Sequence, residues 1–459
     1  MGGGLAHVVL GGREKRVRGG HPWVFATEVA DIRGVYEPGD TVDVVTSRGG
    51  FIGRGYINPA SQIIVRLLTR RPDEGIDEAF YRSRVREAVL YRRDLFAVPP
   101  AAPTAPNVPA APTAPGVPAA PTASAAPTAP KLPADIGRRA FRLVFAEADQ
   151  LPAFVVDYFA GVLVFQALAL GVDRVKDLLV RLAREEAAAA GFPVLGVYER
   201  DDAPVRTLEG LPLTSGPFWG QPPDRVTILE NDVLMVVDVA RGQKTGYFLD
   251  QRENRAALGP YVRAAAGAGG GARVLDCFCY TGGFALAAAA GGAAEVLGVD
   301  SSAEALALAA ESARLNGHDP ASEAGGVAEP SGGAAVSFVE ANVFDFLRQA
   351  EAEGRGWDVI ILDPPAFAKN RAALPGALRG YKEINLRALK LLPPGGYLVT
   401  SSCSHHVSED AFREMLASAA VDTRRRVRVV EVRSQARDHP TLPAAPETRY
   451  LKLFTLRVE

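Results

Sequence analysis

Cys403 stands in the run Ser401-Ser402-Cys403-Ser404, directly after the apolar stretch Tyr397-Leu398-Val399-Thr400. Asp363 ends a similar stretch, Asp358-Val359-Ile360-Ile361-Leu362, and Pro364 and Pro365 follow it. If both stretches are strands and lie side by side, a thiol and a carboxyl meet at one rim of a sheet. A thiol is only a few per cent ionised near neutrality, and a helix N-terminus or a nearby cation lowers its pKa. The helix expected to begin near Ser408, with His405 and His406, is placed to supply such a field. The two prolines stiffen the backbone after Asp363, and Phe367 offers an aromatic face on which an extruded base could stack. The bland alternative is a structural thiol buried in a core.

A second set of residues suits a cationic ligand. The run VLDCFCYTGGF, 274–284, reads as strand, turn and helix start. In open α/β sheets, ligands bind beyond the carboxyl ends of the strands. Asp276 ends this strand, and Gly282 and Gly283 let backbone approach a ligand at the helix N-terminus. The following strand ends at Asp300, where a carboxylate can accept both hydroxyls of a ribose. The G-x-G-x-x-G spacing that seats a pyrophosphate is absent, and Asp276 would repel a phosphate. It would attract the ammonium and sulfonium of S-adenosylmethionine, so that cofactor is expected in preference to a nicotinamide dinucleotide. Asn342 or the Val343 backbone could meet an adenine edge, although Asn342 could equally cap the next helix.

A sulfonium methyl gives the thiol and carboxyl a specific use. Carbon 5 of a pyrimidine is too weakly nucleophilic to take that methyl unaided. A thiolate adding at carbon 6 makes it an enamine, while an acid at ring nitrogen 3 absorbs the developing charge. The run Asp-Pro-Pro-x-Phe taken alone favours methylation of an amino nitrogen, such as that of guanine, which needs no cysteine.

These residues require a particular scaffold. Strand patterns at 273–276, 295–300, 336–340, 358–363 and 397–402 alternate with helical ones from 282 and over 303–316, 343–350, 380–392 and 408–419. Strict alternation predicts a doubly wound parallel α/β sheet. Two last strands, near 427–433 and 449–458, have no helix between them, a closing pair usual in class I methyltransferases and unusual in dehydrogenases. Residues 1–72 show short Gly-punctuated strands and predict a small β-barrel. Residues 73–228 predict a central α+β domain: a helix over 76–96 that carries Ile76, Phe80, Val85, Val89 and Leu95, then a β-β-α-β run. The α/β domain takes 229–459.

Residues 99–130 return VPAAPTA twice without an aromatic residue, and proline denies them helix or ladder, so a disordered excursion is expected there. The stretch 319–335 resembles a second loop expansion. With 47% apolar and 23% charged residues in 459, two or three domains are expected. Three cysteines are too few for a disulfide framework and suggest a reducing compartment. Cys277-x-Cys279 completes no zinc pattern, so no metal is expected. The chain opens with no signal-peptide pattern, and its apolar runs fall short of the roughly 20 residues of a membrane span, so a cytoplasmic enzyme is expected. A net charge of −2 makes no global case for nucleic acid. Residues 1–72, however, carry ten Lys/Arg against six Asp/Glu, including REKRVR at 13–18. A local basic face can hold phosphates in a near-neutral chain, and a plain solvated surface would look the same.

Together the motifs resemble the RlmI-type ribosomal RNA large-subunit methyltransferases, which form 5-methylcytosine with S-adenosylmethionine. The resemblance runs nearly end to end, through HPWVF (21–25), GYINPASQI (55–63), SGPFWG (215–220), GQKTGYFLDQRENR (242–255), LDCFCYTGGFA (275–285), DPPAFAKN (363–370), RGYKEIN (379–385), SSCS (401–404) and DHP (438–440). It implies a PUA barrel, a central α+β domain and a Rossmann-like methyltransferase domain. It implies Cys403 as nucleophile and Asp363 as the acid that orients the base, with Pro364, Pro365 and Phe367 beside it. Cofactor contacts are implied at Asp276, Cys277, Phe278, Thr281, Gly282, Gly283, Asp300, Ser301, Asn342 and Val343, and at Lys244, Phe248 and Asp250. Without the resemblance, 242–255 reads as a strand followed by a helix capped near Asp250. The PUA reading makes Arg13, Lys15, Arg16 and the His21-Pro22-Trp23 turn RNA contacts, while Trp23 fits barrel core equally well. The implied partner is large-subunit ribosomal RNA, and pairing at a barrel or sheet edge leaves a homodimer open. A rival reading is an RNA-binding assembly factor on a dead methyltransferase fold. Such a domain would tolerate loss of the strand-end acids and glycines, and all of them are present.

Overall fold

The structure, a computed structural model, describes residues 5–12, 14–97, 138–266, 270–320, 334–368 and 370–459. The proline-rich stretch 99–130 and most of the 319–335 expansion lie outside the described residues. Alternating apolar residues build the first sheet, whose strands run in the order Trp23–Phe25, Ile63–Thr69, Phe51–Ile57, Thr41–Val45, His7–Leu10, Val29–Arg33. Val8, Leu10, Val42, Val44, Ile57 and Val65 share its buried core. The strands Trp23–Phe25 and Val29–Arg33 are too short for their alternation to announce them.

Helix Glu78–Ala97 follows and buries Phe80, Val85 and Val89 against a five-stranded sheet. That sheet is ordered Thr214–Gly220, Gly196–Asp201, Val162–Ala167, Phe154–Phe159, Ala140–Phe145. Helix Lys176–Ala189 packs beside the first helix. The expected β-β-α-β run is therefore short by two strands. One of them is SGPFWG, whose proline is tolerated because the strand lies at the sheet edge. A hairpin, Arg225–Glu230 with Val233–Asp238, leads out of this domain, so a boundary at 229 falls inside a strand.

The last sheet has seven strands: β1 (Ala272–Cys277), β2 (Ala293–Asp300), β3 (Ala335–Glu340), β4 (Val359–Leu362), β5 (Tyr397–Ser402), β6 (Val427–Arg433) and β7 (Lys452–Val458). Their order is β3-β2-β1-β4-β5-β7-β6. The first five are parallel, and β7 is antiparallel to both of its neighbours. Among the described residues, five helices of eight residues or more cover the faces: α1 (Gly283–Ala290), α2 (Ala303–Leu315), α3 (Val343–Ala352), α4 (Leu374–Leu391) and α5 (Glu409–Asp422). All four residues of β4 are buried, as a central parallel strand covered on both faces requires. Ser302, Asn342 and Ser408 cap α2, α3 and α5 by accepting backbone N–H groups, which fixes where each strand-end loop stops. Among the described residues no helix is long and apolar enough to cross a membrane.

Buried polar contacts lock the units together. The Glu209 carboxylate of the central domain accepts from Asn58 Nδ2 (2.8 Å), Ser61 Oγ (2.6 Å) and Arg66 Nη2 (2.9 Å) of the barrel. Replacing Glu209 by alanine strands a buried guanidinium and is expected to cost roughly 3–5 kcal/mol. Loss of denaturant resistance in the barrel, read from the fluorescence of Trp23 at that interface, checks this.

Candidate active site

The β4–β5 ladder pairs Leu362 with Thr400, so Asp363 emerges beside Ser401. Ser401 Oγ and Gln251 Nε2 (2.8 Å) both donate to Asp363 Oδ1. Beyond β5, alternate residues take opposite sides. Ser402 and Ser404 turn inward, each with its Oγ 3.0 Å from the buried Tyr381 hydroxyl. Cys403, between them, faces the other way, half-buried, with Sγ 3.9 Å from the Pro364 carbonyl oxygen. Cys403 and Asp363 border one cavity of ≈ 180 Å³, which Pro364 and Pro365 also line.

Burial pushes the thiol up to about 11; Lys244 and Lys452 pull against this, while Asp363 and Asp250 add to it. The depressed pKa anticipated from α5 and the two histidines is thus reversed. His405 and His406 are exposed, and the His405 ring lies 5.4 Å from that of Tyr450. Burial also raises the Asp363 carboxyl, opposed by the Ser401 hydrogen bond and helped by the charge of Asp250.

The opposite wall is the turn after β1. Phe278 and Tyr280 hold φ of 62° and 50°, a left-handed conformation that side chains seldom adopt. Asp300 at the end of β2 anchors it, accepting from Tyr280 N (2.9 Å) and Ser302 N (3.0 Å). Phe278, Thr281, Gly283, Asp300 and Ser301 line the cavity. Asp276 lies beneath, fully buried, its carboxyl raised well above the ordinary range by burial and by the charges of Asp363 and Asp300. Neither of its oxygens has a hydrogen-bond partner, and Thr281 Oγ1 and Asp250 Oδ1, on the cavity wall, also lack one.

Residues 242–255 form the cover. The helix expected near Asp250 is there, but the strand before it is not. A turn with positive φ at Lys244 and Gly246 runs into a 3₁₀ turn, Leu249–Gln251, and a short helix, Arg252–Ala256. Lys244 and Gly246 break the extended pattern there. Lys244, Phe248 and Asp250 all border the cavity, with Lys244 Nζ 3.2 Å from Asp250 Oδ2 and 4.6 Å from the Phe248 ring centre. Burial alone would raise Asp250, but Lys244, His439, the Tyr450 hydroxyl (2.6 Å) and Arg142 hold it well below the carboxylate range. Arg255 pairs with buried Glu230 at 2.6 Å and donates to Phe248 O. A Cβ on Gly283 would meet Tyr247 Oη at 2.8 Å and Arg255 Cδ at 3.1 Å, so this glycine makes room for the cover.

Several expected contacts lie elsewhere. Cys277 is core, packed behind the sheet. Gly282, at φ +80°, abuts Ala309 and Phe338 rather than the cavity. Asn342 Oδ1 caps α3, accepting from Phe344 N at 2.9 Å, and the Val343 side chain is buried core; neither residue borders the cavity. Phe367, half-buried, packs 4.6 Å from Tyr381 and 5.9 Å from Phe344 and does not border the cavity. In the barrel, Arg13 lies outside the described residues. Arg16 is committed to Glu28 (2.7 Å) and Trp23 O (3.0 Å), while Lys15 is exposed. Trp23 donates to Glu147 Oε1 at 2.8 Å and joins barrel to central domain. Gln251, Ser401, Arg255 and Tyr450 escaped the sequence reading. The first three lie within or beside quoted motifs, and Tyr450 carries no local signal.

Residues 8–70 match the model of a PUA-like domain, and residues 212–446 that of an S-adenosylmethionine-dependent methyltransferase. Ribosomal RNA large subunit methyltransferase I of Shewanella denitrificans is 39% identical over 449 residues, 97% of this chain and 98% of its own. The Escherichia coli protein of that name is 36% identical over 452 residues, 98% of each chain. The chain belongs to the ribosomal RNA large subunit methyltransferase I family. Like the family model it matches, it is a class I methyltransferase that uses S-adenosylmethionine. Its whole fold recurs in a methyltransferase crystallised with S-adenosylhomocysteine, at a TM-score of 0.73 and 20% identity, over 98% of this chain and 100% of that one. A Streptococcus mutans methyltransferase gives 0.72 at the same identity and coverage.

The cavity suits the cofactor of this methyltransferase family. Thr281 and Asp250 bring acceptors without a hydrogen-bond partner to the cavity wall, with the carboxyl of Asp276 buried beneath, and an amino-acid ammonium would supply donors to such a set. A ligand cation held close to Asp276 would favour its ionised form, against the direction in which burial shifts it. Affinity for S-adenosylmethionine is therefore expected to rise with pH, by up to about tenfold per unit, until the free carboxyl has ionised. Titration calorimetry at a series of pH values checks the slope, and Asp276→Asn should abolish it.

Proposed function

We propose that the protein methylates carbon 5 of a cytosine in large-subunit ribosomal RNA, acting in the cytoplasm through a covalent Cys403 adduct. The relatives' names supply the RNA class. The observation that carries the chemistry is that Cys403 and Asp363 border one cavity with Asp300 and the turn after β1.

S-adenosylmethionine, when bound, supplies a sulfonium methyl. The residues of this chain prepare the base to take it. Cys403 loses its proton and its sulphur bonds to carbon 6, which pushes electron density onto carbon 5. Asp363, which burial inclines toward its protonated form, supplies the hydrogen bond that ring nitrogen 3 needs as charge develops there. Ser401 and Gln251 hold that carboxyl by one oxygen and leave the other for the base. Once carbon 5 carries the methyl, water takes its proton, the carbon–sulphur bond breaks to restore the ring and the thiolate, and Asp363 regains the proton it shared with nitrogen 3. Among the cofactor contacts, Asp276 and Thr281 suit the amino-acid end and Asp300 the ribose, while Lys244, Phe248 and Asp250 close the cavity. The exposed Lys15 of the PUA-like barrel remains a candidate for phosphate contact.

Cys403→Ala is expected to lower methyl transfer at least roughly a thousandfold while leaving cofactor affinity within about twofold. Nucleoside analysis of methylated RNA should yield 5-methylcytosine, and RNA carrying 5-fluorocytidine should trap a covalent complex. Methyl recovered on a guanine amine, with Cys403→Ala fully active, would replace this reading with nitrogen methylation oriented by Asp363 and the two prolines.

A further inference from the structure

Lys452 opens β7 directly opposite Ser402 and is buried, an expensive place for an ammonium. Its Nζ donates to Ser404 O at 2.7 Å and Val407 O at 2.8 Å, the two ends of the loop that follows Cys403. Carbonyls satisfy its hydrogens but do not cancel its charge. Glu409, the carboxylate whose field reaches it, is bridged to Arg449 (2.8 Å) and Arg413 (3.2 Å). Among the described residues no carboxylate lies within 4.0 Å of Lys452.

We infer that Lys452 is a positioning residue for methyl transfer, bracing the Ser404–Val407 loop and standing as counter-charge to the thiolate of Cys403. The inference rests on Cys403 being the nucleophile. When the thiol ionises, its proton passes to solvent and the buried ammonium gains the anion it otherwise lacks. The charged and titratable groups facing Cys403 are Lys244 and Asp250 from the cover, Asp363 after β4, Tyr381 on α4, and Tyr450 and Lys452 from the β7 side. Those facing Lys452 are Cys403, Arg449, Glu409 and His405. The two partners are displaced against one another: burial lowers Lys452 to about 8 and lifts Cys403 to about 11, and each opposes the other's shift.

Alkylation of the intact protein by iodoacetamide, followed on the Cys403 peptide by mass spectrometry, tests the pairing. Cys277 and Cys279 are buried, with pKa values pushed well above the ordinary thiol range, and should stay unlabelled. Below about pH 8 the wild-type rate should climb about tenfold per unit, then flatten as Lys452 loses its charge, and climb again once that charge is gone. Lys452→Met should remove the shoulder and slow alkylation about tenfold at neutral pH, while Lys452→Arg should recover most of the rate. In methyl transfer, Lys452→Met should lower kcat about tenfold at unchanged cofactor affinity. A purely structural brace predicts the reverse in alkylation, since a loosened loop exposes the thiol and speeds labelling. An unbroken slope in the wild type, or a Met variant labelled at least as fast, overturns the inference. Full activity of Cys403→Ala would remove the nucleophile reading on its own, because the wild-type shoulder reports the charge pair without any turnover.

Discussion

Parallel pairing of β4 with β5 sets the separation across which this enzyme must work. Neighbouring strands of a sheet lie about 4.8 Å apart, and in a parallel pair both carboxyl ends open toward the same side. With Leu362 opposite Thr400, Asp363 and Ser401 must meet, and Cys403, two residues on, shares the face of Ser401. A register slip of one residue would send the thiol into the core and bring a serine to the rim. Tyr381 guards against that slip, since its single hydroxyl meets both Ser402 and Ser404. The sequence Ser-Ser-Cys-Ser is thus read by two clients. Ser401 and Cys403 serve the cavity, and Ser402 and Ser404 serve the fold.

Four carboxyls crowd this one region, and the protein keeps them apart in protonation rather than in space. Asp250 is surrounded by Lys244, Arg142 and the Tyr450 hydroxyl and stays ionised. Burial raises both Asp276 and Asp363, with the charges of Asp363 and Asp300 adding to it at Asp276 and that of Asp250 at Asp363, so both are shifted toward the neutral form. Asp300 has two backbone amides as partners. Environments that push like groups apart are how one site holds an ionised acceptor and a proton donor together. A cationic cofactor is the natural complement of such a set, because its charge offsets the repulsion among these carboxyls.

The sheet and its acids were legible because they obey local rules. Apolar strands that run into an acid or a thiol and alternate with helices mark the five parallel strands of the sheet closely, from Asp276 through Asp300 and Asp363 to Cys403. The roles of residues placed by long-range packing were not legible. Phe367 follows the two prolines just as a stacking platform would, yet Tyr381 and Phe344 claim it from across the fold. Asn342 satisfies a cap before it can satisfy a ligand. Arg16 lies in the most basic run of the chain, but Glu28, twelve residues away, neutralises it. The field at Cys403 shows the limit most clearly. The histidines next to it in sequence face solvent, and the cations that act on it, Lys244 and Lys452, come from segments far away in the chain.

Those distant segments explain why a methyltransferase sheet carries two further domains in rigid contact with it. The cover over the cofactor cavity has no regular structure of its own between Asp238 and Leu249. It is held from outside. Thr245 donates to Asp157 of the central domain, Asp157 also receives Arg142, and the Arg142 backbone N–H donates to Asp438 of the methyltransferase domain. Asp438 in turn takes Arg252 at 3.0 Å, which fixes the far end of the cover. His21 of the barrel reaches the same neighbourhood through Glu447, three residues before Tyr450. A run of buried polar contacts therefore leads from Thr245 through Asp157 and Arg142 of the central sheet to Asp438 and Arg252, while His21 ties the barrel separately to Glu447. Each such pair costs desolvation and adds little net stability, but it dictates geometry, because a buried charge tolerates no partner but the one built for it. The motifs HPWVF and DHP, which contain no group that touches a reacting atom, belong to these contacts. Their work is to deliver Lys244 and Asp250 to the place where β4 and β5 end.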